Sequence, residues 1–164
     1  MNRLVITGRP GVGKTTVFLK VLNSLKDFKV YGFYCPEVRV SGKRVGFDLV
    51  YLDGGEEWMA RVDCEGVKVG KYCLNLGAGE RLSLKEAISS DLIAVDEVGP
   101  MEMRIPKVAE FISRILSLDR PCLLVAHRSM MIRGEIFTVT EDNRDHVSSL
   151  ISSKLTELLR KDRP

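Results

Sequence analysis

A chain of 164 residues suits one domain with a full core, and 45% hydrophobic with 29% charged residues is an ordinary globular balance. Its 25 lysines and arginines against 22 acids leave a net charge of +3. That excess is too small to argue for nucleic acid, and no long basic run stands out. No apolar run is long enough to span a membrane, and the start of the chain reads as a strand, not a signal peptide. A cytoplasmic, monomeric protein is the expectation.

Residues 2–7 contain Leu4-Val5-Ile6-Thr7, a short apolar β-branched run that reads as a buried strand. It leads into Gly8-Arg9-Pro10-Gly11-Val12-Gly13-Lys14-Thr15, which matches the phosphate-binding pattern G-x-x-x-x-G-K-[ST]. Residues 14–27 follow as a helix, with Val17, Phe18, Val21, Leu22 and Leu25 on one face. Strand, glycine loop and helix are the context that the pattern needs. The glycines let the backbone approach a ligand without β-carbon clashes, and the loop amides and helix N-terminus face an anion. Gly8, Arg9, Pro10, Gly11, Val12, Gly13, Lys14, Thr15 and Thr16 are therefore the candidate nucleotide cradle. Lys14 can reach the β- and γ-phosphates, and the Thr15 hydroxyl can hold Mg²⁺.

Val30 to Tyr34 reads as a second strand. Two β-rich runs then flank Ser41-Gly42-Lys43, the mark of a hairpin. Trp58 to Cys64 and Val67 to Leu76 continue in the same style, so residues 37–76 read as an antiparallel insertion within one domain, 1–164. Trp58, Tyr34, Phe47 and Tyr51 read as sheet packing. Glu37, Arg39 and Arg44 lie in the hairpin. An arginine there could screen phosphate charge as a finger supplied in cis, or simply make a cross-strand charge pair.

Ser83-Leu84-Lys85-Glu86 is a capping box for a helix near 83–90. Leu92-Ile93-Ala94-Val95 is a continuous apolar run of the buried parallel kind, and it ends in Asp96-Glu97. Asp96 stands where a Mg²⁺-binding carboxylate is needed beside the phosphates. Glu97 is then free to orient or deprotonate an attacking water, against the plainer role of capping a loop or pairing with an arginine. Glu102 either supports the metal's water shell or opens the next helix.

That helix is marked by Ile105, Val108, Ala109, Ile112, Ile115 and Leu116, with Pro106 in its first turn. Cys122 to Ala126 and Ile136 to Val139 are two more strands. Val147, Leu150, Ile151, Leu155, Leu158 and Leu159 mark the final helix. Asn143 and Arg144, just before it, could edge the base or ribose, or Asn143 could cap the helix. His127 and Arg128 follow a strand. Strands alternating with helices imply an α/β fold with a mainly parallel sheet covered on both faces. The glycine loop, Asp96-Glu97 and His127-Arg128 should then converge on the carboxyl rim of that sheet. Cys35, Cys64, Cys73 and Cys122 are scattered singly and read as reduced thiols.

Gly8 to Thr15, Glu37-Val38-Arg39, Arg44 with Gly46-Phe47, Asp96-Glu97-Val98-Gly99-Pro100-Met101-Glu102 and Thr140-Glu141-Asp142-Asn143-Arg144 occur in this order along the chain. In this the sequence resembles the small P-loop nucleoside-triphosphatases of thermophiles and archaea, a family with a vertebrate member called cancer-related nucleoside-triphosphatase. The resemblance covers nearly the whole chain, but Arg128 to Gly134 is shorter than in relatives. It implies a RecA-like P-loop domain and slow, Mg²⁺-dependent hydrolysis of ATP, GTP and other nucleoside triphosphates, with broad base tolerance. The rival readings are a nucleotide or small-molecule kinase and a nucleotide-switched module for RNA or a protein partner.

Overall fold

The computed structural model describes residues 2–161, so residue 1 and residues 162–164 of the expected domain lie outside the described residues. The elements run β1 (Arg3–Gly8), α1 (Lys14–Asn23), β2 (Val30–Tyr34), β3 (Glu37–Val40), β4 (Lys43–Tyr51), β5 (Glu56–Arg61), β6 (Lys68–Val69) and β7 (Tyr72–Leu74). They continue α2 (Leu84–Ser89), β8 (Leu92–Val98), α3 (Pro106–Leu116), β9 (Cys122–Ala126), β10 (Glu135–Val139) and α4 (Arg144–Lys161). All ten strands share one sheet in the order β10-β1-β9-β8-β2-β4-β5-β7-β6, with β3 on β4. The pairs β10-β1, β1-β9, β9-β8 and β8-β2 are parallel, and pairing from β2 to β4 onward is antiparallel. The α/β architecture expected from the sequence is therefore present, insertion included.

Alternate residues of the parallel strands feed two cores, as the period-2 pleat requires. Leu4, Ile6, Leu92, Ala94, Leu123 and Val125 pack under α1 and α4, against Val17, Phe18, Val21, Ile151 and Leu155. Ile93, Val95, Cys122 and Leu124 pack on the other face under α3, against Val108, Phe111, Ile112 and Ile115. The apolar stripes on α1, α3 and α4 explain why these helices form where they do: each buries one face on the sheet. Ser83 caps α2 by accepting from the Glu86 N–H at 3.2 Å, as the capping box implies.

Three local expectations differ from the structure. The first helix stops at Asn23 and residues 24–27 close it as turns. The run from Val67 to Leu76 is not one strand but a tight hairpin, β6 and β7, reversing at Gly70, whose φ is +60°. Trp58 does not pack into the sheet: it is 40% exposed, while Tyr51 is buried.

The cysteine reading is corrected for one pair. Cys64 and Cys73 form a disulfide with their Cα atoms 6.0 Å apart, while Cys35 and Cys122 are free. The pairing follows from the register: Arg61 sits opposite Cys73, and the turn after β5 brings Cys64 back onto the same strand. It staples the outer part of the insertion, where β6 is only two residues long and has little core of its own. Replacing both cysteines by serine is expected to lower unfolding stability by about 2–3 kcal/mol in a denaturant titration. A thiol count on the unfolded, unreduced protein should find two free thiols, Cys35 and Cys122.

Candidate nucleotide site

The loop between β1 and α1 has the conformation that its glycines make available. Gly11 and Gly13 sit at φ +76° and +103°, a region that L side chains avoid. At Gly8 a β-carbon would stand 2.7 Å from the Val139 carbonyl oxygen of β10, so only glycine lets the loop leave the strand here. Val12 is buried beneath the loop and anchors it. Gly13 serves as N-cap of α1, no side chain caps the helix, and its first turn carries no acid. The free N–H groups at that end, with the positive end of the helix dipole, form an anion site.

Lys14 folds back over the loop, its ammonium donating to the Gly8 carbonyl at 2.9 Å and to that of Arg9 at 3.4 Å. Thr15 faces the sheet and donates from Oγ1 to Asp96 Oδ2 at 2.6 Å. Thr16 and residues 9–11 are exposed on the outer side of the loop. Arg144, at the first turn of α4, lies against the loop. A β-carbon on Gly13 would meet the Arg144 Cδ at 2.7 Å and its Nη1 at 3.2 Å. Asn143 has a different task. Its Oδ1 accepts from the Thr140 N–H at 2.7 Å and its Nδ2 donates to the Thr138 carbonyl at 3.0 Å, tying β10 to α4.

Because β9 lies between β1 and β8, Asp96, Glu97, His127 and the glycine loop share one rim. The apolar strand does not end before the acids: β8 runs through them to Val98, and its register with β9 shifts between Asp96 and Val98. The Asp96–Glu97 peptide is cis. Asp96 is 3% exposed, and burial pushes its carboxyl up to about 7, with the Thr15 hydroxyl and the Lys14 charge pulling the other way. Glu97 is also raised by burial, against the lowering pull of Lys14 and His127. His127 Nδ1 accepts from the Ser129 N–H at 3.1 Å, which leaves Nε2 as the ring donor.

The pairing of β2 with β4 places Tyr34 opposite Val50. The first half of β4, with β3, therefore projects past the carboxyl end of β2 on the side of this rim. There the hairpin carries the cross-strand charge pair in a fuller form. Glu37 accepts from Arg39 at 2.9 Å and from Arg44 at 3.1 Å, and Arg44 Nε also donates to the Tyr72 hydroxyl at 2.9 Å. The structure thus gathers the loop, Thr15, Asp96, Glu97, His127 and Arg144, and holds Arg39 and Arg44 together on the hairpin.

Sequence reasoning left Glu102 open and passed over Cys35 and Gly99. Glu102 does not open α3. It lies in a single 3-10 turn, Glu102–Arg104, and is 5% exposed. Burial pushes its carboxyl up to about 8, and the buried Cys35 thiol lies against it. The only sequence signal for this was its place inside the run Asp96 to Glu102.

A sheet of this order with this loop and this carboxylate pair defines a P-loop nucleoside-triphosphatase fold. The comparisons agree: the family model for NTPase matches residues 3–152, and the chain belongs to that family. It is 41% identical over 153 residues to nucleoside-triphosphatase THEP1 of Saccharolobus solfataricus, covering 88% of this chain and 87% of that one. The crystal structure of THEP1 from the hyperthermophile Aquifex aeolicus superposes with a TM-score of 0.80 at 25% identity, covering 93% and 98% of the two chains. The solution structure of a human cancer-related nucleoside triphosphatase gives 0.71 at 28% identity over all of both chains. The relatives make this chain a hydrolase of nucleoside triphosphates.

The buried acids also set a pH dependence. Glu102 is raised from 4.5 to about 8, so the native state holds more protons than the unfolded chain across that range. Stability of the ligand-free protein therefore falls as pH rises through that range. Glu102→Gln is expected to remove much of this slope and to stabilise the free protein at pH 8 by about 2–4 kcal/mol, read from denaturant midpoints at pH 5 and pH 8.

Proposed function

We propose that the protein hydrolyses nucleoside 5'-triphosphates to the diphosphate and phosphate, with Mg²⁺ and with little discrimination between bases. The observation that carries this is the contact between Thr15 and Asp96 beneath the open end of α1, with Glu97 next in the chain. The donor set fits magnesium. A hydroxyl and a carboxylate, both hard oxygen ligands, lie 2.6 Å apart beside an anion site, and the carboxylate is buried with no ion pair among the described residues. Thr15 and Asp96 would hold the ion, and when bound it would offset charge on the β- and γ-phosphates.

The chain's own residues do the rest. The amides of Gly11 to Thr15 and the start of α1 bind the phosphates, and Lys14 exchanges its loop carbonyls for phosphate oxygens. Glu97 accepts a proton from water as the water oxygen bonds to the γ-phosphorus. The bond from that phosphorus to the β–γ bridging oxygen breaks, and the diphosphate leaves with that oxygen. Burial raises Glu97, which brings a general base closer to working pH. Arg144 offers the nucleotide a cation beside Gly13 that is indifferent to the base. Arg39 and Arg44 are the cations proposed to screen charge that spreads over the γ-phosphoryl oxygens, released from Glu37 when nucleotide binds.

The test is phosphate release from ATP, GTP, CTP and UTP, with and without Mg²⁺ and with no added acceptor. Glu97→Gln is expected to lower kcat by about 10²–10⁴-fold while nucleotide still binds. Lys14→Ala should lose binding as well as turnover. Arg39→Ala or Arg44→Ala should lower kcat with affinity unchanged. Full turnover in Glu97→Gln would overturn the assignment of the base, and release that needs an acceptor would make the protein a kinase.

A further inference from the structure

The carboxylate pair at the end of β8 is a cluster of three. Glu102 Oε1 lies 3.1 Å, and Glu97 Oε1 2.9 Å, from the point where a β-carbon on Gly99 would stand. The two carboxyls therefore border one gap, which exists because residue 99 has no side chain. The Cβ of His127 bounds the same gap at 3.3 Å. Gly99 is not in a left-handed conformation, so its lack of a side chain is needed for space and not for backbone freedom.

Glu102 is out of place by the ordinary rules of burial. Its neighbours Met101 and Met103 pack on the core beneath α3, and an apolar residue at 102 would bury at no electrostatic cost. An acid that merely helped to start α3 would stand in solvent near its first turn. Glu102 instead precedes α3 by four residues and turns inward. The groups around it are Asp96 and Glu97 of β8 and the Cys35 thiol after β2, and Lys14 and His127 are the groups that pull Glu97 the other way. The gap at Gly99 that it shares with Glu97 is the feature that accounts for a carboxyl in this position.

We propose that Glu102 is a positioning residue for the hydrolysis, holding the Glu97 side chain across Gly99 in the orientation that meets the attacking water. The inference rests on Glu97 being the general base. Burial favours the uncharged form of Glu102, which can donate a hydrogen bond to a carboxylate. A glutamine at 102 has the same length and can also donate, whereas alanine leaves Glu97 unsupported.

The experiment is a double-mutant cycle at saturating Mg²⁺, reading kcat and KM for ATP with thermal unfolding as the fold control. The variants are Glu97→Gln, Glu102→Ala, Glu102→Gln and the pair Glu97→Gln with Glu102→Ala. Glu102→Ala is expected to lower kcat about 10–100-fold with KM within about twofold, the scale of a misplaced catalytic group. Glu102→Gln should keep kcat within about threefold of wild type. The double variant should be no slower than Glu97→Gln alone, because Glu102 acts only through Glu97.

Wild-type kcat in Glu102→Ala, losses that multiply in the double variant, a KM that rises in step, or equal losses in the glutamine and alanine variants would each overturn the proposal. Should Glu102→Ala fail to fold, Gly99→Ala decides. Its methyl group would push between the two carboxyl oxygens, so a similar fall in kcat supports the proposal and wild-type kcat overturns it. Wild-type turnover in Glu97→Gln would remove the base itself, a result separate from anything measured at Glu102.

Discussion

One hydrogen bond, from Thr15 on α1 to the buried Asp96 on β8, joins the two halves of the site. Much of the fold serves that contact. Thr15 reaches the sheet because glycines at 11 and 13 let the chain turn through left-handed conformations straight into the helix. Asp96 is there because β8 lies one strand away from β1, with β9 between them, all three parallel. Parallel pairing is what places the ends of three successive crossovers on one rim. An antiparallel neighbour in place of β9 would have sent His127 to the far edge of the sheet.

The electrostatics of that rim are unbalanced in the free protein. Asp96, Glu97 and Glu102 are all raised by burial; Thr15 and Lys14 oppose this at Asp96, and Lys14 and His127 oppose it at Glu97. Apolar residues at these positions would give a more stable domain, which is the usual mark of a working site. A divalent cation and a triphosphate would supply the charges that the site lacks: one between Thr15 and Asp96, the other on the amides of the loop. Binding would thus relieve a cost already present in the free fold, which is one way to make nucleotide affinity depend on metal.

The frame was legible because its signals are local. A strand that is apolar throughout reads as buried on both faces, and a glycine loop between strand and helix has few other uses. Asp96 and Glu97 could be picked out because acids at the end of an apolar strand are expensive without a role. What escaped was what depends on register and on packing across the sheet. That Cys64 meets Cys73 depends on how β5 pairs with β7. The inward turn of Glu102 depends on a 3-10 turn of three residues, too short to show a period in the sequence. Trp58 faces out because it alternates along β5 with Glu57 and the buried Met59, and which face of β5 is buried depends on its pairing with β4. Asn143 showed the opposite case: its capping chemistry was readable, and the structure commits the side chain to the backbone of β10.

The insertion bears on all this through the edge it covers. Without it β2 would end the sheet, and the open backbone of β2 would lie beside the rim that carries the glycine loop and Asp96 as an edge for other strands to pair with. Strands β3 to β7 close that edge, but their outermost part rests on short strands and a half-buried ion pair between Arg61 and Asp48 at 2.7 Å. The Cys64–Cys73 bond lies next to Tyr72, whose hydroxyl accepts from Arg44. A crosslink that stiffens β7 therefore also fixes the platform from which the hairpin arginines extend. In this chain the bond is best understood as compensation: it ties the turn after β5 to the buried strand β7, beside a two-residue β6 that has little burial of its own.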